Sequence, residues 1–422
     1  MTAPLPPYSQ YRIPLPLGEG QGEGEAADGP AGNARPADLA VYIHWPFCLS
    51  KCPYCDFNSH VREAIDTAAW QGAYLNQIRA CAARTGPRRV TSLYFGGGTP
   101  SLMPPQTAGA IIDEAAAVWS LDSDAEIILE ANPAAVDRAR FAGFAAAGVN
   151  RVSIGVQSFD DRELQFLGRN HSAADARRAL RLARRHFGRF SFDLIYALPE
   201  QTAADWRAQL RDALAGAGDH LSLYQLTIEP GTAFHTQWQR GDMATPDDDT
   251  AGALYETTQE AMDAAGLPAY EISNHARPGA ESRHNLAYWR YGDYAGIGPG
   301  AHGRLTVGGV RHATRHHRAP EVWLERASRA DDPQAAEQGS TIVSGAEAVV
   351  EAVMMGLRTA EGVPLARLAA LGGGVEDIWA TLDRSAVARL AEAGLLADDP
   401  DRLRATAAGR QRLNAVLAAI VR

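Results

Sequence analysis

The chain has 422 residues, 46% hydrophobic and 21% charged, which at about 150 residues per domain is enough for two or three globular units. Lys+Arg 40 against Asp+Glu 50 leave a net charge of −10, which excludes a protein that coats nucleic acid. No apolar run approaches the roughly 20 residues of a membrane span.

Residues 1–37 are rich in Pro, Gly and Glu and lack apolar periodicity, the composition of a disordered tail. They show neither a charged start with an apolar stretch nor a small-residue cleavage site, so the expected location is the cytoplasm. From Leu39 on, apolar runs alternate with helical segments. The runs are LAVYIHW (39–45), VTSLYFGGG (90–98), AEIILEANP (125–133), RVSIGVQS (151–158), RFSFDLIYALP (189–199) and HLSLYQLTIEP (220–230). Helical stretches such as Ala64–Arg84, Pro105–Trp119 and Ala173–His186 separate them. Such alternation predicts a parallel α/β sheet over residues 38–240, either a partial or complete TIM-type barrel or a doubly wound sheet. In both, chemistry sits at the C-terminal strand ends.

Those ends are polar: a cysteine loop after the first run, Gly96–Thr99 after the second, Glu130 to Asn132 after the third, Gln157 in the fourth and Asp193 in the fifth. An isolated charge in a buried strand is costly unless it is paired or used. Residues 241–335 then turn aromatic, His- and Arg-rich. Residues 336–422 read as a small, mostly helical, winged-helix-like domain. Nine arginines against ten acids from Thr341 to Arg422 point to a packing or partner domain rather than a DNA reader.

Cys48, Cys52 and Cys55 form C-x3-C-x2-C directly after the first strand. Three thiolates on one short loop can hold three corners of a 4Fe-4S cluster and leave one iron open. The alternative is a Cys3His zinc site using His44 or His60, but a second paired knuckle is missing. Cys81 follows Trp70, Tyr74 and Ile78 at helical spacing and reads as a core residue. Four cysteines, three of them in this loop, suit a reducing compartment.

The series YIHWPFC, CPYCDF, YFGGGTPS, EANP, SIGVQSF, LGRNH and DLIYALP resembles the radical S-adenosylmethionine (SAM) proteins, within them the oxygen-independent coproporphyrinogen III oxidase-like group. Asp56-Phe57 and the HNLAYW segment (284–289) resemble its HemW branch, whose members are haem chaperones. The resemblance implies a partial (β/α)6 barrel followed by an α+β region and the C-terminal domain. It implies a 4Fe-4S cluster on Cys48, Cys52 and Cys55, with SAM on the fourth iron. Tyr42, Gly97 and Glu130 match positions that contact this SAM, and Tyr54, Gly98, Thr99, Gln157, Arg169 and Asp193 match positions that hold a second SAM in the oxidase branch. The glycines let the backbone approach a ligand and donate N–H groups.

The oxidase branch carries a further cysteine where this chain has Phe57. The expectation is therefore a chaperone that binds haem and passes it to client haemoproteins, with oxidative decarboxylation of coproporphyrinogen III as the alternative. His284 and Tyr288, four residues apart, are the haem candidates implied by the resemblance. If residues 241–335 fold back over the strand ends, haem on His284 would lie against the cluster cavity and the two sites would be coupled. Client identity and oligomeric state, a homodimer included, are not legible in the sequence.

Overall fold

The computed structural model describes residues 37–329, 331–332 and 334–422. The tail expected to be disordered lies, except for Ala37, outside the described residues. Six strands alternate with helices: β1 (Asp38–Trp45), α1 (Thr67–Thr85), β2 (Arg89–Gly97), α2 (Pro105–Val118), β3 (Ser120–Ala131), α3 (Arg138–Ala146), β4 (Arg151–Gln157), α4 (Ala173–His186), β5 (Arg189–Tyr196), α5 (Ala203–Gly216) and β6 (His220–Gln225). All neighbouring pairs from β1 to β6 are parallel. Helix starts are fixed locally. Ser172 with Asp175 and Thr202 with Asp205 make reciprocal caps on α4 and α5, satisfying N–H groups that the helix itself cannot pair.

The sheet does not close. After β6 the chain forms α6 (Ala233–Arg240), α7 (Asp248–Ala264) and β7 (Asn274–Ala276), which pairs antiparallel with β6. It next makes the short helix α8 (Arg283–Trp289) and returns to the opposite edge as β8 (Tyr294–Ile297), parallel to β1. There β9 (His302–Val307), β10 (Val310–His316) and β11 (Glu337–Ile342) add on, antiparallel, with α9 (Pro320–Ala327) between β10 and β11 in the chain. The order β11-β10-β9-β8-β1-β2-β3-β4-β5-β6-β7 makes one mixed sheet of 11 strands. The 241–335 segment thus extends the sheet at both edges rather than only covering its strand ends.

The strands alternate by face, as period-two geometry requires. Outward residues such as Val152, Ile154, Phe190, Phe192, Leu221 and Leu223 join the helices in the main core. Inward residues on the same strands are small or polar: Ser153, Gly155, Ser191, Asp193 and Ser222. The runs that read as continuously apolar therefore have one polar face, and the interior holds a cavity instead of the stacked side chains that fill a closed barrel.

A second core belongs to the C-terminal helices: α10 (Gly345–Gly356), α11 (Leu365–Gly372), α12 (Val375–Thr381), α13 (Arg384–Glu392), α14 (Ala407–Gln411) and α15 (Leu413–Ile420). A short ribbon, Val363–Pro364 with Arg402–Leu403, joins them. Glu351 of α10 fastens this unit to the sheet, accepting hydrogen bonds from Arg304 (2.8 and 2.9 Å) and from the Tyr291 hydroxyl (2.6 Å). Among the described residues no helix is long and apolar enough to cross a membrane.

Candidate active site

The inward faces of β2–β6 enclose a cavity of about 940 Å³, at the upper end of small-molecule sites. Cys48, Cys52 and Cys55 stand on its rim, beside Gly97, Gly98 and Thr99. Backbone bonds dock the two loops: Gly98 N–H donates to Trp45 O (2.7 Å) and Thr99 N–H to Phe47 O (2.8 Å). Gly97 has φ +111°, and a Cβ there would lie 2.6 Å from the His44 ring, so only glycine fits without strain. Asn58 ends the cysteine loop and ties it to the far edge of the sheet, donating to the carbonyls of Pro299 and Arg318 at 2.9 Å.

The thiols meet donors. Thr99 Oγ1 donates to Cys48 Sγ at 3.3 Å and Arg169 Nη1 to Cys52 Sγ at 3.3 Å. Burial pushes the Cys48 and Cys55 thiols up, so these two keep their protons until a metal replaces them, and none of the three loop cysteines is in a disulfide. Among the described residues no group of three or more His, Cys, Asp or Glu, the three loop thiols included, is drawn close enough together to hold a metal ion. By donor chemistry, three thiols on one loop suit an iron–sulfur cluster with one open iron more than a four-ligand zinc site.

Glu130 accepts from the Tyr94 hydroxyl at 2.8 Å and from Gly97 N–H at 3.2 Å. Burial, opposed by the Tyr94 hydrogen bond and helped by the nearby Asp193 charge, pushes its carboxyl up to about 7. Asp193 accepts from Ser153 Oγ at 3.1 Å; burial, offset by Ser222, Ser153 and Arg169, pushes it up to about 6. Gln157 is held at φ +69°, at the end of a strand whose register with β5 shifts. A left-handed non-glycine residue at a strand irregularity marks a re-aimed side chain. Arg169 also donates to Gly155 O (2.9 Å) and to the Tyr54 hydroxyl (3.4 Å). Gln157 Oε1 and Arg169 Nε are buried without a partner among the described residues. Such orphans in a cavity wall await a ligand.

Eight of the nine SAM candidates named from sequence (Tyr54, Gly97, Gly98, Thr99, Glu130, Gln157, Arg169 and Asp193) line this one cavity. Tyr42 stands behind the wall instead: its ring lies 6.1 Å from that of Tyr94, and its hydroxyl pairs with His44 Nδ1 at 3.1 Å. His284 and Tyr288 are likewise outside the lining. His284 is buried, stacked on Tyr94 (4.7 Å), with Nδ1 on Ser92 Oγ (3.0 Å) and Nε2 on the Tyr288 hydroxyl (3.1 Å). Both ring nitrogens are engaged, and burial lowers the imidazole to about 3. Helix α8 thus packs beneath the cavity and supports the Tyr94–Glu130 pair, while Ser282 and Asn285 reach the lining.

Sequence reasoning missed the floor. Arg151, His220, Asn274 and Arg358 line it, Arg358 coming from the C-terminal unit and pairing with buried Glu271 at 3.3 Å. The only local signal was the polar–apolar alternation in RVSIGVQ and HLSLYQ, which marks a strand face but not what lies against it.

Asp193 and Glu130 make a pH prediction. Each carboxyl holds its proton to higher pH folded than unfolded, so between about pH 4 and 7 the folded state binds more protons and these two groups reduce stability as pH rises. Buried histidines such as His44, His171 and His275, each lowered to about 4 by burial, act in the opposite sense, so the effect is read as a difference. Asp193→Asn and Glu130→Gln should gain stability relative to wild type from pH 4 to 7 and hold a constant difference above it. Urea midpoints across pH 4–8 that move in parallel for variant and wild type would refute this.

The Radical SAM superfamily model matches residues 42–213, and the HemN C-terminal domain model matches residues 343–412. Heme chaperone HemW of Escherichia coli (strain K12) is 37% identical over 386 residues, covering 90% of this chain and 97% of that protein. Heme chaperone HemW of Mycobacterium tuberculosis (strain CDC 1551 / Oshkosh) is 36% identical over 384 residues, covering 90% and 94%. The mitochondrial radical S-adenosyl methionine domain-containing protein 1 of Bos taurus is 42% identical over 346 residues, covering 80% and 78%. In fold the chain is similar to the solved coproporphyrinogen III oxidase (HemN) of Escherichia coli, with TM-score 0.74, 22% identity and coverage of 91% and 90%. Near-complete coverage at these identities, on a sheet that gathers three cysteines and a GGGTP loop at its strand exits, places the chain in the radical SAM superfamily, in the family that includes heme chaperone HemW.

Proposed function

We propose that this protein is a haem chaperone. In this reading Cys48, Cys52 and Cys55 hold a 4Fe-4S cluster, SAM lies in the cavity against the open iron, and haem is the cargo delivered to client haemoproteins. The observation that carries it is the convergence of three unpaired thiols, the Gly97–Gly98 backbone and orphaned Gln157 and Arg169 on one cavity. The HemW-named relatives, matched over nine-tenths of this chain, support haem as cargo. Free thiols on the rim suit a reducing compartment, here the cytoplasm.

When bound, the cluster would supply an open coordination site and one electron. The chain's own residues position and shield. Gly97 offers backbone close to the cysteine rim, and Glu130, kept neutral part of the time near pH 7 by burial, presents an acceptor that Tyr94 fixes in place. Arg169, donating to Cys52 Sγ, sets a guanidinium between the thiols and the cavity, where it can also meet a carboxylate. Ser153, Ser191 and Asp193 keep the inner wall polar through linked hydrogen bonds.

The test is anaerobic reconstitution, haem titration and transfer to an apo-haemoprotein such as apomyoglobin. The expected result is stoichiometric haem binding and transfer, with no turnover of coproporphyrinogen III in the presence of SAM and a reductant. Absence of haem binding, or catalytic formation of the decarboxylated porphyrinogen, would overturn the reading. Phe57, exposed on the rim where the oxidase branch has cysteine, argues for the first outcome.

A further inference from the structure

The floor of the cavity lies far from the cysteine rim. Arg151 and His220 open β4 and β6, whereas the rim stands at the strand exits. The 7 residues of β4, at about 3.3 Å each, put roughly 20 Å between the two ends. Three polar atoms at the floor are buried without a partner among the described residues: His220 Nδ1, Asn274 Oδ1 and Arg358 Nε. His220 is 2% exposed and Asn274 4%. Three such orphans at one end of a cavity call for an occupant.

The surrounding bonds fix what each atom offers. Asn285 Nδ2 donates to the Tyr270 hydroxyl at 3.1 Å, and that hydroxyl has His220 Nε2, at 3.0 Å, as the acceptor for its own proton. Burial, with the Arg151 charge second, holds the His220 imidazole well below its usual value. It is therefore neutral and carries its one proton on Nδ1. Asn274 gives its Nδ2 to Glu271 at 2.7 Å, which leaves Oδ1 as a free acceptor. Arg358 is clamped, with Nη2 on Glu271 at 3.3 Å and its guanidinium 4.8 Å from the Trp289 ring, and Nε–H is the second free donor. The floor thus offers two N–H donors and one carbonyl acceptor. Its guanidinium charges are already matched, Arg358 by Glu271 and Arg151 by Glu126, so a bare anion such as phosphate finds no spare charge. A carboxyl group fits: its oxygens accept from both N–H groups, and its acid form donates to Asn274. Tyr224, on the same inward face of β6 as His220 and Ser222, is 41% exposed and lines the cavity, so a flat ring stands open beside the floor.

We propose that this floor seats a carboxyl arm of the cargo, a propionate of the porphyrin, and that Tyr224 packs against the macrocycle. This rests on the reading of haem as cargo and names the end of the cavity that orients it. Helix α8 shares in the seat, since Ser282 and Asn285 line the same cavity. The C-terminal unit supplies one of the two donors through Arg358, which gives it a part in recognition beyond packing. The seat uses neither the thiols nor an iron ligand, so it can be tested without either.

The experiment titrates metal-free protoporphyrin and its dimethyl ester into the full-length protein and into His220→Phe, Arg358→Met and Tyr224→Leu, each checked for folding by circular dichroism. Binding is read by porphyrin fluorescence, and the metal-free ring removes axial ligation from the readout. Wild type should prefer the free acid by about tenfold or more, the factor carried by one hydrogen bond to a charged group. His220→Phe and Arg358→Met should shrink that preference toward unity, whereas Tyr224→Leu should weaken acid and ester alike. The wild-type comparison needs no variant, so the seat stays testable if a floor substitution does not fold. No acid preference in wild type, or an undiminished one in both floor variants, would overturn the seat and leave the orphans to ordered water, with the chaperone reading intact as long as haem binds. Failure of wild type itself to bind haem would overturn that reading and this assignment with it.

Discussion

Alanine at Cys48, Cys52 or Cys55 is expected to abolish the cluster, whereas Cys81→Ser should keep it. On the proposed ligation wild type reconstitutes to about four irons per chain, and each loop variant falls to background while its circular dichroism is unchanged. The structural reason for the contrast is position. The three loop thiols stand on the cavity rim with Thr99 and Arg169 aimed at two of them. Cys81 lies on α1, where it packs against the main core, and burial pushes its thiol up to about 12, which removes the thiolate that metal binding needs. Although Phe47 and Tyr54 of the loop pack against buried clusters, none of the three thiols does, so losing one should spare the fold. Iron and sulfide analysis with the ligand-to-metal absorption band checks this. Equal iron loss in Cys81→Ser and Cys48→Ala would remove the three-cysteine assignment.

Glu126→Ala is expected to destabilise the fold by about 3–5 kcal/mol, the range for breaking a buried ion pair from one side. Glu126 is 4% exposed and Arg151 2%, and their charged atoms meet at 2.6 Å. The same carboxylate accepts from Arg189 at 3.2 Å, from Ser282 Oγ at 3.3 Å and from the backbone N–H of Arg283 at 2.9 Å. Its removal leaves the Arg151 guanidinium in the interior without its ion-pair partner, with only the Asp193 carboxyl nearby, and frees an N–H at the start of α8 that the helix cannot satisfy. Because α8 carries His284, which stacks on Tyr94, the loss should also loosen Glu130 at the cavity wall. Urea denaturation measures the first effect, and the second should appear as weaker SAM binding in Glu126→Gln, which keeps the shape but not the charge. A shift below about 1 kcal/mol in Glu126→Ala would mean that the interior tolerates the lone guanidinium, contrary to the usual cost.

Short-range information was enough for the cysteine rim and the parallel frame. C-x3-C-x2-C lies on one loop, and GGGTP, Glu130, Gln157 and Asp193 each sit at or near the exit of their own strand. A parallel sheet brings such exits to one edge whatever the details of packing. Helix ends were legible for the same reason, since caps such as Ser172 with Asp175 are local, whereas the strands read as continuous apolar runs and their polar inner face showed only in the fold. The interior was decided by tertiary structure. Ser92 meets His284 across 192 residues and Ser282 meets Glu126 across 156, and only those contacts show that HNLAYW turns its histidine into the fold while Ser282 and Asn285 face the cavity. The 241–335 segment divides between both sheet edges because β8 finds its partner in β1, the first of the described strands. The difference is physical: a ligand loop is specified by residues a few bonds apart, but whether a histidine is a ligand or a buried support depends on which polar groups are packed against its two nitrogens. For His284 those groups are Ser92 and Tyr288.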